Sequence, residues 1–290
     1  MWRKVSKKTQ RPRLALALSG GAARGIAHVG VMKVFKEEGI PVDFVAGTSA
    51  GALVGGALAS GMPLEEIEDI GRSLRWKDLG RMTLSRLGVQ SSARMEEYIR
   101  ERFPVTRFEE MPIPFAAVAT DLHTGGAVVM RDAGDAAFAI RASCALPGWY
   151  VPAVDEAGRQ LVDGGLVANL PTSVARSLGA EVVVAVDVNY EGAKFLGSPT
   201  SILGVLLQTF IVVQRTAVAH QRQIADVCIS PPVGHIRWDE MQRADEFIAA
   251  GVEAARAAIP TIRELLEPHT AEEPNWFHLR RARDKQTAKD

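Results

Sequence analysis

Short apolar runs of strand length, each followed by a glycine or a helical pattern, constrain the fold of this chain more than any other feature. The runs are LALAL (14–18), DFVAG (43–47), FAAVAT (115–120) and EVVVAVDV (181–188). They are apolar throughout, whereas a strand with one solvent-exposed face alternates apolar and polar residues. Such strands, alternating with helices, predict a mostly parallel sheet that helices cover on both faces. The expected fold class is therefore α/β, with three layers in the order α/β/α.

The domain organisation follows from the same pattern. Helical patterns occupy residues 25–38, 50–60, 64–74, 94–102, 136–144 and 171–178. We predict one α/β domain over residues 14–190, a helical C-terminal extension packed on it over 191–267, and a polar tail over 268–290. Residues 1–13 form a basic N-terminal arm.

Charge and cysteine content limit the compartment and the partners. Lys+Arg and Asp+Glu both number 34, so no net charge favours nucleic acid. Two cysteines, Cys144 and Cys228, do not make a disulfide framework, and no signal peptide pattern follows the basic arm. We expect a cytoplasmic protein. The arm is either a solvated tail or a contact with anionic lipid at the inner membrane.

One predicted helix is unusual because it is apolar on nearly every side. It is ILGVLLQTFIVV, residues 202–213, and its 12 residues are fewer than the about 20 needed to cross a bilayer. We predict a buried core helix. A lipid-facing surface or a dimer surface is the alternative, so homo-oligomerisation stays open.

A glycine-rich turn follows the first strand, at Ser19 to Gly25, and leads into a helix. Glycines allow backbone N–H groups to converge, and the helix N-terminus adds positive potential, so the turn predicts an anion site. A Walker loop is excluded because Gly-Lys-Ser/Thr is missing. A dinucleotide site is disfavoured because Ala22 replaces the middle glycine and Asp43 lies at the wrong end of its strand.

A second turn, Gly47-Thr48-Ser49-Ala50-Gly51, lies between the second strand and a helix of small residues. This is the context that the G-x-S-x-G nucleophile elbow requires. Carboxyl ends of parallel strands meet at one edge of a sheet. We therefore expect the Ser49 nucleophile and the glycine-rich anion site to share one cleft.

A serine nucleophile needs a base, and Asp163 is the best candidate. It ends a short strand and precedes Gly164 and Gly165 in a tight turn. Two other strand-end acids, Asp121 and Asp187, compete, and each of the three can instead be a structural loop ligand. His220 and His235 would fit the order of a Ser-acid-His triad, but too few strands precede Ser49 for that fold.

Together, the three motifs resemble those of the patatin-like phospholipases, specifically the small bacterial members. The family's Gly-Gly-Gly-x-Arg-Gly loop corresponds to residues 20–25, with Ala22 in place of the third glycine. G-x-S-x-G matches 47–51, and Asp-Gly-Gly matches 163–165. ASCALPGWYVP (142–152) and NLP (169–171) also look like family signatures. The resemblance covers roughly residues 12–190.

The resemblance implies a patatin-like fold and a Ser49–Asp163 dyad that hydrolyses lipid acyl esters through an acyl-enzyme. It implies that phospholipid, lysophospholipid or another acyl ester is the substrate, with neither metal nor cofactor. The oxyanion would be held by backbone N–H groups of Gly20, Gly21 and Ala22, with Ala22 at negative φ. Arg24, which precedes Gly25, would have one of three roles. It would stabilise the oxyanion hole, face a lipid phosphate, or fix the loop.

Two other function classes stay open. An acyltransferase or thioesterase would use the same dyad and pass the acyl group elsewhere, and a lipid-binding regulatory protein would not use it catalytically. We also expect contact with a membrane surface. Trp149 and Tyr150 lie in a proline-bound segment that does not predict regular structure, and their polar tips suit a lipid–water boundary. The alternative is that both close the core beneath the site.

Overall fold

A computed structural model describes residues 11–190 and 198–268 of the chain. Most of the basic arm and nearly all of the polar tail lie outside the described residues. The strands are β1 Leu14–Leu18, β2 Phe44–Thr48, β3 Arg81–Met82, β4 Gly88–Ser91, β5 Phe115–Asp121, β6 Ala127–Arg131, β7 Gly148–Tyr150, β8 Ala153–Val154, β9 Gln160–Asp163, β10 Val182–Val186 and β11 Val227–Ile229.

Ten α-helices accompany these strands in the described part of the chain. They are α1 Ala27–Glu37, α2 Ala50–Ala59, α3 Leu64–Ser73, α4 Trp76–Leu79, α5 Ala93–Arg102, α6 Ala136–Ser143, α7 Gly165–Ala168, α8 Thr172–Ser177, α9 Ile202–Arg222 and α10 Ala244–Leu266. Short 3-10 helices occupy Ala22–Ile26, Phe108–Glu110 and Met241–Arg243.

The large sheet has the strand order β11-β10-β1-β2-β5-β9-β8, with β6 paired to β5. The five strands from β11 to β5 pair in parallel. The pairs β5–β6, β5–β9 and β8–β9 are antiparallel. A small second sheet contains β3, β4 and β7. The predicted α/β class with a mostly parallel central sheet is confirmed.

Side-chain size along β1 shows how the two faces of the sheet are covered. Leu14, Leu16 and Leu18 are buried in the larger core, which includes residues of α1 and α10. Ala15 and Ala17 point to the opposite face, where α8 packs closely. Since successive strand residues face opposite sides, one five-residue strand supplies both cores.

The C-terminal extension differs from the predicted wholly helical segment. It supplies strand β11, which pairs parallel with β10 at the edge of the sheet. Its last helix, α10, packs against α1 at two glycines. A methyl group on Gly30 would lie 2.1 Å from the Ile248 carbonyl oxygen, and one on Gly251 would lie 2.0 Å from that of Ala27. The extension therefore completes the sheet and its helical layer, because the glycines allow the two helix backbones to meet.

Helix α9 also differs from the prediction of a short buried helix. It has 21 residues, which is long and apolar enough to cross a bilayer, but only 17% of its most apolar window is buried. Phe210, Gln214, Val218 and Gln221 face inward. The outer face is exposed, because α7, α8 and β7 cover one side of the helix and no described element covers the other.

The described end of the basic arm is part of the fold. Arg11 forms a bidentate pair with Asp43, with nitrogen–oxygen distances of 2.7 and 2.8 Å, and Asp43 also accepts the backbone N–H of Leu14. The Arg13 guanidinium lies over the Phe44 ring. The Asp43 carboxylate, a candidate dinucleotide ligand by its position in the sequence, therefore holds the start of β1 in place.

Candidate active site

Ser49 lies in a strained turn between β2 and α2. Its φ and ψ are 54° and −123°, which is unusual for a residue with a side chain. A methyl group on Gly47 would lie 2.4 Å from the Gly51 carbonyl oxygen, and one on Gly51 would lie 2.2 Å from that of Leu18. Both flanking glycines are required because backbone atoms occupy the space that a side chain would need.

Ser143, at the end of α6, supports this turn. The Ser49 backbone N–H donates to the Ser143 hydroxyl oxygen at 2.9 Å, and that hydroxyl donates to the Val118 carbonyl oxygen at 2.6 Å. Ser143 is fully buried. The contact joins residues far apart in the chain, so the sequence indicated the Ser143 segment only as a family signature.

Asp163 ends β9 and is placed beside Ser49. Its carboxylate accepts the Gly165 backbone N–H at 2.8 Å, and the Ser49 side chain lies beside it. The residue is 2% exposed. Desolvation raises the pKa of Asp163 to about 6, and the Ser49 side chain and the hydrogen bond from Gly165 partly oppose this rise. A carboxylate in this state is mostly ionised at pH 7 and remains a competent base.

The turn after Asp163 also depends on close backbone approach. A methyl group on Gly164 would lie 2.2 Å from the Val118 carbonyl oxygen. The Thr120 hydroxyl donates to the Asp163 carbonyl oxygen at 2.9 Å. On the elbow side, the Thr48 hydroxyl donates to the Ala168 carbonyl oxygen at 2.7 Å. Elbow and acid are thus joined through β5 and α7.

The glycine-rich loop lies against the elbow, but only part of it is available as an oxyanion hole. The Gly20 N–H already donates to the Asn169 carbonyl oxygen at 3.1 Å. No hydrogen bond to another residue in 11–190 or 198–268 uses the N–H of Gly21 or Ala22. The hypothesis that Gly20 is a donor is therefore corrected, because its N–H holds the loop to the turn before α8.

Ala22 has φ +52°, so the expectation of a negative φ is wrong. The backbone follows the left-handed course that a glycine adopts freely, and alanine accepts it at a cost of about 1 kcal/mol. At the other end of the loop, a methyl group on Gly25 would lie 2.4 Å from the Ala50 Cβ. This close packing sets the loop directly on the first turn of α2.

Arg24 fixes the loop from within. The residue is 5% exposed, and its Nε and Nη2 donate to the Ile236 carbonyl oxygen at 3.0 and 2.9 Å. Its Nη1 donates to the Asn189 side chain at 3.4 Å. Of the hypotheses for Arg24, these contacts favour the one in which it holds the loop in place.

The competing acids have structural partners, while the candidate bases His220 and His235 are exposed. Asp121 accepts hydrogen bonds from His123 and Thr124 within its own turn. Asp187 pairs with Arg222 at 2.8 Å. Burial lowers the pKa of His28 to about 4, and the His28 Nε2 contacts the Ser19 carbonyl oxygen at 2.9 Å. Within the described ranges, no histidine lines the cavity that contains Ser49.

An apolar cavity opens beside Ser49 and Asp163. Helices α2, α3, α5 and α9 contribute to its wall, together with the glycine-rich loop. The lining residues include Leu53, Ile67, Met95, Phe103, Leu207 and Ile211. Across residues 11–190 and 198–268, no group of three His, Cys, Asp or Glu side chains is arranged to hold a metal.

Trp149 and Tyr150 line this cavity, and both lie in strand β7. The expectation of irregular structure is wrong, because Gly148 and Tyr150 pair with Gly88 and Gln90 of β4. Tyr150 is 3% exposed, and burial raises the pKa of its hydroxyl. The hypothesis of Tyr150 at a lipid–water boundary is therefore corrected, since the ring forms the cavity wall.

Cys144 is a neighbour of the dyad that the sequence analysis did not assign. Burial raises the pKa of its thiol well above the usual value, and the nearby Asp163 charge acts in the same direction. A side-chain hydrogen bond with Ser49 opposes both. The thiol therefore stays protonated and forms part of the wall beside the nucleophile.

A three-layer α/β fold with a serine elbow, a buried acid and a glycine-rich loop at one sheet edge defines a class of serine acyl hydrolases. The sequence model described as Patatin-like phospholipase matches residues 16–176, which is more than half of the chain. This chain belongs to the patatin-like phospholipase family. The family resemblance inferred from the three motifs is confirmed.

Curated relatives and one solved structure agree with this assignment. An uncharacterized NTE family protein of Mycobacterium bovis is 38% identical over 182 residues, which is 61% of this chain and 49% of the relative. Lysophospholipase NTE1 of Mycosarcoma maydis is 38% identical over 183 residues, covering 60% of this chain and 10% of that protein. The crystal structure of VipD from Legionella pneumophila matches with TM-score 0.56 and 14% identity, covering 89% and 67% of the two chains.

These comparisons set the level at which function is known. The chain spans about half the length of the first relatives it matches, and the VipD likeness shows the fold alone. Family membership and the lysophospholipase relative support a lipid hydrolase in general terms.

Proposed function

We propose that this chain is a serine hydrolase that cleaves carboxylic esters of phospholipids or lysophospholipids through a Ser49–Asp163 dyad. The observation that carries the proposal is the buried Asp163 carboxylate, which lies beside Ser49 at the end of an apolar cavity. Desolvation brings the pKa of this carboxylate to about 6, near the operating pH, as general-base catalysis requires.

In the acylation step, the Ser49 hydroxyl oxygen attacks the ester carbonyl carbon while its proton passes to Asp163. The N–H groups of Gly21 and Ala22 stabilise the negative oxygen of the tetrahedral intermediate. When the intermediate collapses, the bond to the alcohol breaks and the alcohol oxygen takes the proton from Asp163. The acyl group remains on Ser49.

The cavity accounts for a long acyl chain. Apolar side chains from four helices border the space next to Ser49, and burying each methylene of a chain there contributes about 0.8 kcal/mol. A short soluble ester would leave most of this wall without a contact. We therefore expect kcat/KM to rise with acyl length.

We further propose that the substrate reaches the cavity from a membrane surface that contacts the outer face of α9. The inner face of the same helix lines the cavity through Leu207 and Ile211. The outer face exposes five large apolar side chains, which are Ile202, Val205, Leu206, Val212 and Val213. A lipid bilayer that covered this face would lie directly beside the cavity.

The β3–β4 hairpin extends the same surface and adds positive charge. β4 pairs with β7, and Gly148 of β7 lies against Leu203 and Leu206 of α9. Leu84 and Leu87 are exposed on the hairpin, and Arg86 lies between them in the sequence. Exposed leucines flanking an arginine favour an anionic lipid surface.

A serine-directed fluorophosphonate probe tests the dyad. We expect one adduct per chain, located by mass spectrometry at Ser49, and release of fatty acid from lysophospholipid by the wild type. Ser49→Ala should abolish both the adduct and the release of fatty acid, while Ser173→Ala, at an exposed position on α8, retains both and serves as the matched serine control. Labelling at another residue, or fatty acid release by Ser49→Ala, would refute the proposal.

A further inference from the structure

The C-terminal extension places a second polar side chain in the candidate active site. Gln214, on the inner face of α9, is 6% exposed and lines the cavity that contains Ser49 and Asp163. A methyl group on Gly165 would lie 2.0 Å from the Gln214 Nε2 and 3.0 Å from the Asp163 Oδ1. The amide and the carboxylate therefore border the same small space.

The Gln214 amide has no structural task that explains its burial. Within residues 11–190 and 198–268, no group donates a hydrogen bond to it or accepts one from it. Neither Gln214 amide atom is among the buried polar atoms that lack a partner in the described part of the chain, so the amide is accessible from the cavity. A polar group that faces a cavity and has no protein partner can bind an ordered water there.

Gln221, two helical turns later on the same face of α9, provides the contrast. Its Oε1 accepts the Leu170 backbone N–H at 2.8 Å, and its Nε2 donates to the Val167 carbonyl oxygen at 3.0 Å. That amide is fully used to hold α9 against the turn before α8. Gln221 is a structural glutamine, whereas the Gln214 amide is directed to the reaction space.

We propose that the Gln214 amide positions the water that hydrolyses the acyl-enzyme, next to the Asp163 carboxylate. An amide can donate to the water oxygen through Nε2 and accept from a water hydrogen through Oε1. When the water accepts a hydrogen bond from Nε2 and donates one to Oε1, its remaining proton points toward Asp163 and its remaining lone pair toward the acyl carbon. The inference rests on the proposed Ser49–Asp163 dyad.

The step balances without another reactant. The water oxygen bonds to the acyl carbon as its proton passes to Asp163, and the carbonyl electron pair moves to the oxygen held by the loop N–H groups. As the intermediate collapses, the bond from carbon to the Ser49 oxygen breaks and that oxygen takes the proton from Asp163. The products are the carboxylic acid and free enzyme. Gln214 gains and loses no proton, and so acts as a positioning residue.

Stopped-flow kinetics with a p-nitrophenyl acyl ester separate the two steps. An activated leaving group makes acylation fast, so acylation appears as a burst and deacylation as the steady rate. For Gln214→Leu we expect the steady rate to fall roughly 10–100-fold, less than the about 10²–10⁴-fold typical of losing the proton-transfer group itself, with the burst rate constant within about threefold. Acyl-Ser49 should accumulate and be visible in the intact mass.

Gln208→Leu is the matched control, because the same substitution on α9 lies more than one turn from Gln214. If Gln214→Leu does not fold, Gln214→Met replaces it, since methionine has a similar length and no amide. The proposal is overturned if the ratio of burst to steady rate fails to rise about tenfold relative to Gln208→Leu. Absence of Ser49-dependent turnover in the wild type would instead refute the proposed function.

Discussion

Two apolar helices border the cavity, and their side chains are used in opposite ways. α2 consists mainly of alanine and glycine, and none of its residues is exposed. α9 has large aliphatic side chains, and five of them face away from the protein. Small residues let the α2 backbone approach the sheet closely, whereas the α9 outer face has no protein partner among the described residues. Apolar composition alone therefore does not determine burial.

The largest contrast concerns glycine replacements on the two helices. In Gly51→Ala, the methyl group would lie 2.2 Å from the Leu18 carbonyl oxygen, a backbone atom that cannot rotate away. We expect the free energy of unfolding to fall by about 3 kcal/mol or more. In Gly204→Ala on α9, the nearest atoms lie at 3.2 and 3.3 Å, and the change should stay within about 1 kcal/mol. Urea unfolding followed by circular dichroism measures both, and equal losses would contradict the comparison.

Replacing Asp163 tests whether the general base lies beside Ser49 or is a histidine elsewhere. Asp163→Asn removes the base, and we expect kcat to fall on the order of 10²–10⁴-fold. His220→Ala on α9 and His235→Ala should stay within a few-fold of wild type. Release of fatty acid from lysophospholipid provides the assay. A collapse of activity in either histidine variant would indicate a triad and refute the dyad.

Asp163→Asn should lower kcat but raise the free energy of unfolding at neutral to alkaline pH. The folded-state pKa of Asp163 is raised to about 6 from an unfolded value of 3.8, so folding favours the protonated acid. The stability that the protonated acid provides is present below pH 3.8 and is lost as pH rises through about 6. An asparagine side chain stays neutral, so we expect Asp163→Asn to be more stable than wild type at about pH 8, by an amount on the order of 3 kcal/mol. The difference should nearly vanish at about pH 3, and thermal unfolding at the two pH values checks the sign.

The outer face of α9 should matter for membranes and not for chemistry. We expect Val205→Gln/Leu206→Gln to weaken binding to anionic vesicles by roughly thirtyfold, because each side chain loses about 1 kcal/mol of apolar burial. Hydrolysis of a short soluble ester should stay unchanged. Leu122→Gln is the control, since Leu122 is 48% exposed and Leu206 52%. If the wild type floats with neither anionic nor neutral vesicles, the membrane contact is contradicted. If the wild type is a dimer that dissociates in the double variant, the outer face of α9 binds a second copy of the chain.

The smallest effect concerns the strained loop beside the elbow. Ala22→Gly relieves the positive φ of 52°, and we expect a gain of up to about 1 kcal/mol, reduced by the greater freedom of glycine in the unfolded chain. The backbone N–H is retained, so kcat should change by only a few-fold. Denaturant unfolding and ester kinetics check this. A large loss of activity would show that the Ala22 methyl group has a contact in the site.

The strands β1, β2, β5 and β10, the helices α1, α2, α3, α5, α6 and α8, and the three motifs were predictable because their causes are local. Strand length follows from an apolar run, and a G-x-S-x-G turn needs its glycines whatever surrounds it. The family was predictable on the same motifs. The use of the Gly20 N–H by Asn169 was not, because the two residues lie far apart in the chain and no pattern links them. The Ser143 contact with Ser49 was not predictable for the same reason.

The sequence by itself determined that β1, β2, β5 and β10 form a mostly parallel sheet, that Ser49 follows β2 and that Asp163 ends a further short strand. Periodicity and turn chemistry act over a few residues, so they can be read directly. Tertiary structure decided which face of α9 is outside, that β11 completes the sheet, and that Gln214 lies beside Asp163. Those outcomes depend on which neighbours remove a side chain from water, and packing between distant segments sets the neighbours.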